Sequence, residues 1–377
     1  MAWRIEGGAV LRGTALEQGD LALVDGMIAP AAGAGARRID ARGLLVMPGL
    51  VDIHGDAHER QLQPRPGIGF AAPLALRDSA AQILAAGVTT ACLGVTLSWE
   101  PGLRSIDAWR DLRAALGQGV PGPDLRVHLR FEADNLDAVE EAVEDIAGGR
   151  VHVLGFNDHT PSILRKIGDD KQAGKYAGRA GMSLDAFRAL AAQVAARRGE
   201  VPAARARMAA VARAAGVPML SHDDTTLEER AAFRALGAHI CEFPTNEAVA
   251  EAARDAREPV VMGAPNVVRG GSHTGWASAA PLAERGIVTI LASDYYWPAM
   301  LEAAFVLAGR GVLSLGEAWS LVSENPAVAL GLADRGRIAA GLRGDILLVD
   351  AARRAPVATF VAGELAWIGA EGAARLG

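Results

Sequence analysis

The sequence predicts a (β/α)8 TIM barrel that carries a small β-sandwich module formed by the two ends of the chain. Through the middle of the chain, eight short apolar segments typical of strands alternate with segments of helical periodicity, as a parallel barrel requires. Both ends consist instead of short β-like segments with glycine turns. Polar side chains end most of the central strand segments, which is where barrel enzymes carry their active sites.

The β-rich ends predict one discontinuous module, with the barrel inserted between its halves. Residues 1–48 contain segments such as LALVDGMIAP, and residues 334–377 contain segments such as GDILLVD. Because no long helical pattern interrupts either end, we expect the two halves to pair. The remaining residues, 49–333, are comfortable for a barrel, which needs roughly 250 residues.

The central segments match a barrel in both number and order. We expect strands in GLVDIHGD, GVTTACLG, LRVHLRFE, VHVLGFND, VPMLSHDD, AHICEFPT, EPVVMGAPN and IVTILASD. Helical patterns lie between most of them, for example LALRDSAAQILAAG, LDAVEEAVEDIAGG and TNEAVAEAARDA. This count and alternation predict eight parallel strands with outer helices.

Composition excludes several classes of protein. Hydrophobic residues make up 50% and charged residues 22%, as in folded globular proteins, and no apolar run approaches the roughly 18 residues of a membrane span. The first residues lack the apolar core of a signal peptide, so we expect a cytoplasmic protein with no membrane partner. A net charge of −6 argues against nucleic acid as a partner. A monomer and a homo-oligomer both stay open.

The strand ends predict a metal site. His54 and Asp56 are two residues apart, so on an extended strand both point to the same side and can reach one ion. Imidazole and carboxylate suit a divalent metal, with zinc as the first choice and manganese, iron and magnesium as alternatives. Other strand-end residues that converge at the barrel mouth are Glu132, Asp158, His159, His222, Asp223, Asp224, Glu242 and Asp294. Such a cluster needs a cation to hold it together, although spacing leaves one and two ions open.

Asp294, at the end of the last strand, is the predicted catalytic carboxylate. From that position it can ligate the metal, orient a water that the metal activates and pass the proton to the leaving group. The alternative is a helix N-cap, because a helix is expected to follow.

Several segments resemble the amidohydrolase superfamily and, within it, the PhnM group of ribose 1-methylphosphonate 5-triphosphate diphosphatases. They are GLVDIHGDAHE, HLRFE, NDHTP, SHDD, EFPTNEAV, VVMGAPNVVRGGSHTG and LASDYYWPAML. The resemblance implies metal roles for His54, Asp56, His222 and Asp294, and adds Glu132 and His159 as ligands. This chain departs from the commonest superfamily pattern, because it has His-x-Asp in place of His-x-His and Glu242 on strand six in place of histidine. The usual two-metal ligand set therefore cannot be transferred whole.

Two cationic segments favour a phosphorylated substrate. After strand four, a glycine-containing segment predicted as a loop or lid supplies Arg165, Lys166, Lys171 and Lys175, which could clamp phosphates or simply be solvated. After strand seven, a predicted backbone nest for an anion contains Arg269, Gly270, Gly271 and Ser272. Beside it, His273 could donate to a phosphate oxygen or protonate the leaving pyrophosphate.

The resemblance implies hydrolysis of a small phosphorylated sugar phosphonate, ribose 1-methylphosphonate 5-triphosphate, to the 5-phosphate and pyrophosphate. A C–N hydrolase or deaminase acting on a cyclic amide or nucleobase-like substrate is the alternative on the same scaffold. A barrel that has lost its metal and its activity is disfavoured, because all the ligand types are present.

Overall fold

The strands of the computed structural model, which describes residues 1–65, 67–272, 275–311 and 313–377, divide between two sheets. The N-terminal strands are β1 (Ala2–Arg12), β2 (Ala15–Val24), β3 (Met27–Ala29), β4 (Arg37–Asp40) and β5 (Leu45–Pro48). The central strands are β6 (Leu50–Gly55), β7 (Val88–Leu97), β8 (Asp124–Glu132), β9 (Val153–Asn157), β10 (Met219–His222), β11 (Ile240–Glu242), β12 (Val260–Gly263) and β13 (Ile290–Ala292). The C-terminal strands are β14 (Ile346–Asp350), β15 (Ala355–Val361) and β16 (Glu364–Ile368).

The eight central strands form the predicted barrel, and each overlaps one of the eight predicted segments, with β7 running three residues beyond its segment. They pair in parallel in chain order from β6 to β13. A parallel bridge between Gly55 and Asp294 joins the first strand to the end of the last. Buried apolar side chains from seven of the eight strands pack in one cluster, which includes Val51, Val153 and Leu220. Such a cluster can form only inside the barrel, so the interior is a packed core.

Helices cover the barrel, and one of them closes the end at which the strands begin. The longer helices are Ala72–Ala85, Ile106–Gly117, Val139–Ala147, Asp170–Ala180, Leu184–Ala196, Val201–Ala214, Leu227–Ala235, Glu247–Asp255 and Ala299–Gly309. Shorter ones are Glu59–Leu62, Thr160–Lys166, Ala264–Arg269, Ala279–Glu284, Leu315–Ser320, Glu324–Ala329 and Ala370–Ala373, with 3-10 turns at Leu136–Ala138 and Arg198–Glu200. Capping residues fix several starts, as where Thr226 and Glu229 form a reciprocal capping box. Ala327 and Leu330, at the end of the barrel where the strands begin, pack against the interior cluster.

The two ends of the chain form one mixed sheet, which confirms a discontinuous β module. The main path of this sheet runs β16-β15-β14-β5-β1-β2-β3, and β4 pairs with β1. The two halves meet where β5 and β14 pair antiparallel, with Met47 opposite Leu347. A separate buried cluster around Trp3, Ile5 and Phe360 gives this module its own core. The module therefore packs against the barrel without supplying the strand ends at the barrel mouth.

The segment after β9 is not a loop. Residues Thr160–Lys166 and Asp170–Ala180 form helices that pack with the helix Leu184–Ala196 around the buried Phe187. The side chain of Asp169 caps the second helix by accepting a hydrogen bond from the backbone N–H of Gln172 at 2.8 Å. This packing offsets the low helix propensity of the glycines that suggested a lid.

Among the described residues, no helix has the length and apolar character needed to cross a membrane.

Candidate active site

The junction of the first and last barrel strands brings three predicted ligands together. His54, Asp56 and Asp294 each offer a ligand atom, and these atoms lie within 4.8 Å of one another. Backbone hydrogen bonds hold the junction: the N–H of Asp56 donates to the carbonyl of Asp294 at 2.8 Å, and that of Asp294 donates to the carbonyl of His54 at 2.9 Å. Asp294 has a φ of 56°, so its backbone adopts a conformation that a non-glycine residue rarely takes. The close pairing of two strand ends therefore presents all three side chains to one point.

A buried carboxylate beneath this group fixes the two strands to each other. Asp52 on β6 accepts hydrogen bonds from the backbone N–H of Ser293 at 3.0 Å and from its hydroxyl at 2.6 Å. It also accepts from the backbone N–H of His54 at 3.2 Å. Burial raises the pKa of Asp52 to about 6, against the effect of these hydrogen bonds. Asp52 thus links the two strands by hydrogen bonds and fixes the relative positions of His54 and Asp294.

A second group lies at the ends of β9 and β10. Ligand atoms of His159, His222 and Asp223 also lie within 4.8 Å of one another. Nε2 of His159 is 3.7 Å from Oδ2 of Asp223, and Nε2 of His222 is 3.5 Å from Oδ1 of the same carboxylate. Glu132 on β8 contacts Nδ1 of His159 and accepts a hydrogen bond from its backbone N–H at 3.1 Å. Glu132 is therefore placed to orient His159.

Glu242 contacts one imidazole of each group, His54 in the first and His222 in the second. Its side chain is completely buried, and its Oε2 is hydrogen-bonded to Nδ1 of His222 at 2.7 Å. Its Oε1 lies 2.9 Å from Nδ1 of His54, but neither of these two atoms makes a well-formed hydrogen bond within the described residues. One carboxylate thus faces both imidazoles. From the sequence, Glu242 could be placed at a strand end but not given a role.

Two site residues, His128 and Arg130, escaped the sequence analysis. Both lie on β8 in the segment HLRFE, at the alternate positions that precede Glu132. Because alternate residues of a strand share a face, the predicted ligand Glu132 was the signal that could have identified them. His128 is fully buried, and a third group of ligand atoms within 4.8 Å joins it to His54 and Glu242.

Arg130 lies between the two groups of candidate ligands. Its Nη1 donates to Oδ2 of Asp56 at 3.2 Å, and its Nη2 is 3.0 Å from Nε2 of His222. The side chain is only 6% exposed. The guanidinium of Arg130 therefore places a positive charge between Asp56 and His222, two of the candidate metal ligands.

Burial controls the protonation of the site. It lowers the pKa values of His54, His128 and His222 to about 3, so these imidazoles are neutral, which is the form that binds a metal. Burial, reinforced by the charge of Asp56, raises the pKa of Asp294 to about 7, near the value suited to proton transfer at neutral pH.

His159 shows the opposite shift. Burial alone would lower its pKa, but hydrogen bonding to Asp223 and Glu132 outweighs this effect and raises it to about 9. In the protein alone, His159 is therefore a cation at neutral pH, unlike the other site imidazoles.

The donor set fits a divalent cation. Both ring nitrogens of His128, Nδ1 of His54 and Oε1 of Glu242 are buried without a hydrogen-bond partner among the described residues. Leaving such atoms unpaired costs about 1–3 kcal/mol each. They belong to the residues of the third group, which shares His54 with the first, so a cation bound to His54 would lie beside them. Neutral imidazoles and carboxylates are the ligands that Zn²⁺ and similar ions prefer.

A pocket opens above the ligands. It has a volume of about 240 Å³, and His54, Asp56, Arg130, His222 and Asp294 line its floor. Arg269, Gly271 and Ser272, from the segment after strand seven, line it as well. His273 lies outside the described residues.

The two glycines of this segment do not form the expected anion nest. Gly270 is left-handed, with a φ of 79°, and ends the helix Ala264–Arg269. Its N–H donates to the carbonyl of Val267 at 3.2 Å, and that of Gly271 donates to the carbonyl of Asn266 at 3.0 Å. This is the Schellman arrangement of a helix C-terminus, which uses both amides. Arg269 is thus the residue of this segment best placed to meet an anion, and its Nη1 lies 3.3 Å from the hydroxyl of Tyr295.

The basic residues predicted after β9 lie on helices, which place them in different surroundings. Lys166 lines a second cavity, which shares Glu132 and His159 with the site. Arg165, Lys171 and Lys175 are exposed and line neither of these two cavities. Of these four predicted cations, only Lys166 therefore lines a cavity beside the candidate ligands; Arg179, which also follows β9, lines the same cavity.

Comparisons with known proteins agree with this geometry. The profile of the amidohydrolase family matches residues 45–366. The chain is 33% identical over 320 residues to the alpha-D-ribose 1-methylphosphonate 5-triphosphate diphosphatase of Escherichia coli (strain K12), covering 82% of this chain and 84% of that protein. A shorter match, 40% identical over 101 residues, relates 26% of this chain to 20% of an allantoinase from Rubrobacter xylanophilus.

Solved structures share the fold at low sequence identity. A molinate hydrolase superposes with a TM-score of 0.64 at 15% identity, covering 97% of this chain and 94% of that one. An amidohydrolase from an environmental sample of the Sargasso Sea gives a TM-score of 0.64 at 18% identity, covering 98% and 93%. With the family profile spanning the whole barrel and part of the β module, the chain belongs to the amidohydrolase family and is a hydrolase of that superfamily.

Proposed function

We propose that this hydrolase converts alpha-D-ribose 1-methylphosphonate 5-triphosphate to the 5-phosphate and pyrophosphate. The observation that carries the proposal is the 33% identity to the Escherichia coli diphosphatase, which extends over 82% of this chain and 84% of that one. A match of this length is not confined to one motif. The substrate would be a small phosphorylated sugar phosphonate, handled in the pocket above the candidate ligands.

Cations in and beside the pocket support a polyphosphate substrate. Arg130 and Arg269 line the pocket that contains the candidate ligands, and Lys166 lines the adjoining cavity. Arginine binds phosphate oxygens through paired N–H donors, and lysine adds a point charge. Because the net charge of the chain is −6, such local cations are needed to attract a highly anionic substrate.

A divalent ion is the proposed cofactor, with zinc preferred and manganese, iron and magnesium as alternatives. His54, Asp56 and Asp294 would hold it, with Glu242 orienting His54. Glu132, His159 and His222 stay candidates for a second ion. Ligand atoms of His159 and His222 cluster with one of Asp223, and Glu132 contacts His159. When bound, such an ion supplies Lewis acidity that makes water a better nucleophile at neutral pH.

The residues of the chain perform the remaining steps of the proposed hydrolysis. Asp294 orients the attacking water and accepts its proton as the new O–P bond forms. The P–O bond of the anhydride breaks, and pyrophosphate leaves with the electron pair. Arg130 and Arg269 neutralise the negative charge on the phosphates while this happens. His273 is the proposed donor to the leaving pyrophosphate.

A C–N hydrolase is the second candidate. The local 40% identity to an allantoinase over 101 residues favours it, because that enzyme's name denotes action on a cyclic amide. The match covers only a quarter of this chain, whereas the match to the diphosphatase covers most of it.

A direct comparison of substrates tests the proposal. Purified protein supplied with Zn²⁺ or Mn²⁺ is assayed for pyrophosphate release from the ribose phosphonate triphosphate and for ring opening of allantoin. Release of pyrophosphate that Asp294→Asn abolishes would support the diphosphatase. Asp158→Asn is the matched control, because Asp158 also follows a barrel strand but pairs with Arg198 at 2.7 Å. Ring opening without pyrophosphate release would reject the proposal in favour of the alternative.

A further inference from the structure

Arg130 separates two of the three sets of candidate ligands, while the third set, His54, His128 and Glu242, shares His54 with the first. On one side, His54, Asp56 and Asp294 offer atoms within 4.8 Å of one another; on the other, a second set is formed by His159, His222 and Asp223. The guanidinium of Arg130 contacts one member of each set, Asp56 at 3.2 Å and His222 at 3.0 Å. Both sets together would be the natural setting for two ions, and Arg130 stands between them.

The hydrogen bonds of His222 leave it without a free ring nitrogen. Its Nδ1 is hydrogen-bonded to Oε2 of Glu242 at 2.7 Å, and its Nε2 faces Nη2 of Arg130 at 3.0 Å. Since arginine has only donors, Nε2 of His222 must accept, and its lone pair is then directed at Arg130. A metal ion could use that lone pair only if the guanidinium moved away.

The surroundings of Arg130 favour its staying in place. The side chain is 6% exposed and comes from the middle of β8, where its aliphatic part lies close to the backbone of Gly94 on the neighbouring strand. A Cβ at Gly94 would come within 3.3 Å of Cδ of Arg130, so the absence of a side chain there makes room for it. Arginine stays protonated at every physiological pH, so this positive charge is permanent.

We propose that Arg130 takes the place of a second metal ion, so that the site binds a single divalent ion on the side of His54, Asp56 and Asp294. The inference rests on the proposed metal-dependent function and specifies the number of ions that this function uses. Asp56 still has Oδ1 for the ion, because Arg130 contacts Oδ2. As a lining residue of the pocket, the same guanidinium also places a fixed positive charge beside a bound phosphate.

Metal counting tests the proposal. Full-length protein is equilibrated with Zn²⁺, dialysed and analysed by inductively coupled plasma mass spectrometry. Wild type should retain one equivalent. Arg130→Gln should bind a second equivalent at least tenfold more tightly than wild type does, and Arg130→Lys, which keeps the charge, should stay at one. Arg335→Gln is the control, since Arg335 is equally buried at 5% exposure but pairs with Asp124 at the opposite end of β8.

Three results would overturn the proposal. They are two equivalents in wild type, no second equivalent in folded Arg130→Gln, and a second equivalent in Arg130→Lys equal to that in Arg130→Gln. If Arg130→Gln does not fold, anomalous diffraction from wild-type crystals decides: one peak is expected, and two peaks would refute the inference. If the protein binds two ions and still releases pyrophosphate, the single-ion inference fails and the proposed function stands. If it binds one ion and does not release pyrophosphate, the proposed function fails and the single-ion inference stands.

Discussion

Glu242 offers the clearest way to perturb both groups of ligands with one atom. Its carboxylate lies 2.7 Å from Nδ1 of His222 and 2.9 Å from Nδ1 of His54, and it is completely buried. Glu242→Gln keeps the shape of the side chain but removes its charge and one of its two acceptors. The amide can still accept from His222, so its NH2 must then face His54. We therefore expect loss of the interaction that orients His54.

The magnitude follows from the contacts that are lost. Removing a group that orients a metal ligand typically weakens metal binding about 10–100-fold. One contact of the two is lost in Glu242→Gln, so we expect metal affinity to fall by about 10–100-fold, equivalent to about 1.4–2.7 kcal/mol.

Competition with a metal chelator measures this affinity. Glu258→Gln is the control, because Glu258 is also buried but pairs with Arg234 at 2.6 Å away from the site. It should lower the melting temperature without changing metal affinity. A folded Glu242→Gln variant that binds metal as tightly as wild type would refute the reasoning that Glu242 organises the ligands.

Three further predictions follow from the site and its support. Asp294→Asn should keep the melting temperature within a few degrees and lower kcat by about 10²–10⁴-fold, the range for a lost general base; near-normal kcat would remove Asp294 from the mechanism. Arg269→Ala should raise KM for the triphosphate about tenfold with unchanged metal content, and an unchanged KM would remove Arg269 from phosphate binding. Asp124→Asn should lower the free energy of unfolding by about 1–3 kcal/mol at pH 7, because Arg126 and Arg335 hold the pKa of Asp124 below its ordinary 3.8 against the effect of burial. That contribution is present above the ordinary pKa and is lost as the pH falls through the native pKa, so urea titrations should show the two proteins converging in acid; a constant difference down to pH 3 would contradict this.

Much of the fold could be predicted from the sequence, because the barrel strands are short apolar runs and most of the predicted strand segments end in a polar residue. In GLVDIHGD the run ends at His54 and Asp56, and the structure places both in the pocket. The alternation of strands and helices leaves few topologies to consider, since parallel strands need crossovers.

Arg130 and His128 were missed for a physical reason. A cation or an imidazole within a strand is usually taken for a solvent-facing position, and only the closure of the barrel turns this face of β8 inward. Glu132 was recognised because it ends the strand, whereas its neighbours at alternate positions lie deeper.

The segments after β9 and β12 were misjudged because glycine has two uses. At Gly270 it ends a helix in the left-handed conformation, and both amides that could have bound an anion are used there. In Asp170–Ala180 the glycines are tolerated inside a helix because buried residues such as Ala173 and Ala177 pack against the neighbouring helix. Local composition does not reveal such tertiary packing.

The central claim is that side chains from separate barrel strands hold a cation at one rim. The most direct measurement is anomalous diffraction from crystals grown with Zn²⁺, recorded on both sides of the zinc absorption edge. We predict a peak about 2.0–2.2 Å from a ring nitrogen of His54 and from a carboxylate oxygen of Asp294. A fully loaded crystal with no peak at the barrel mouth, or with zinc bound only at surface residues such as His239, would contradict the account.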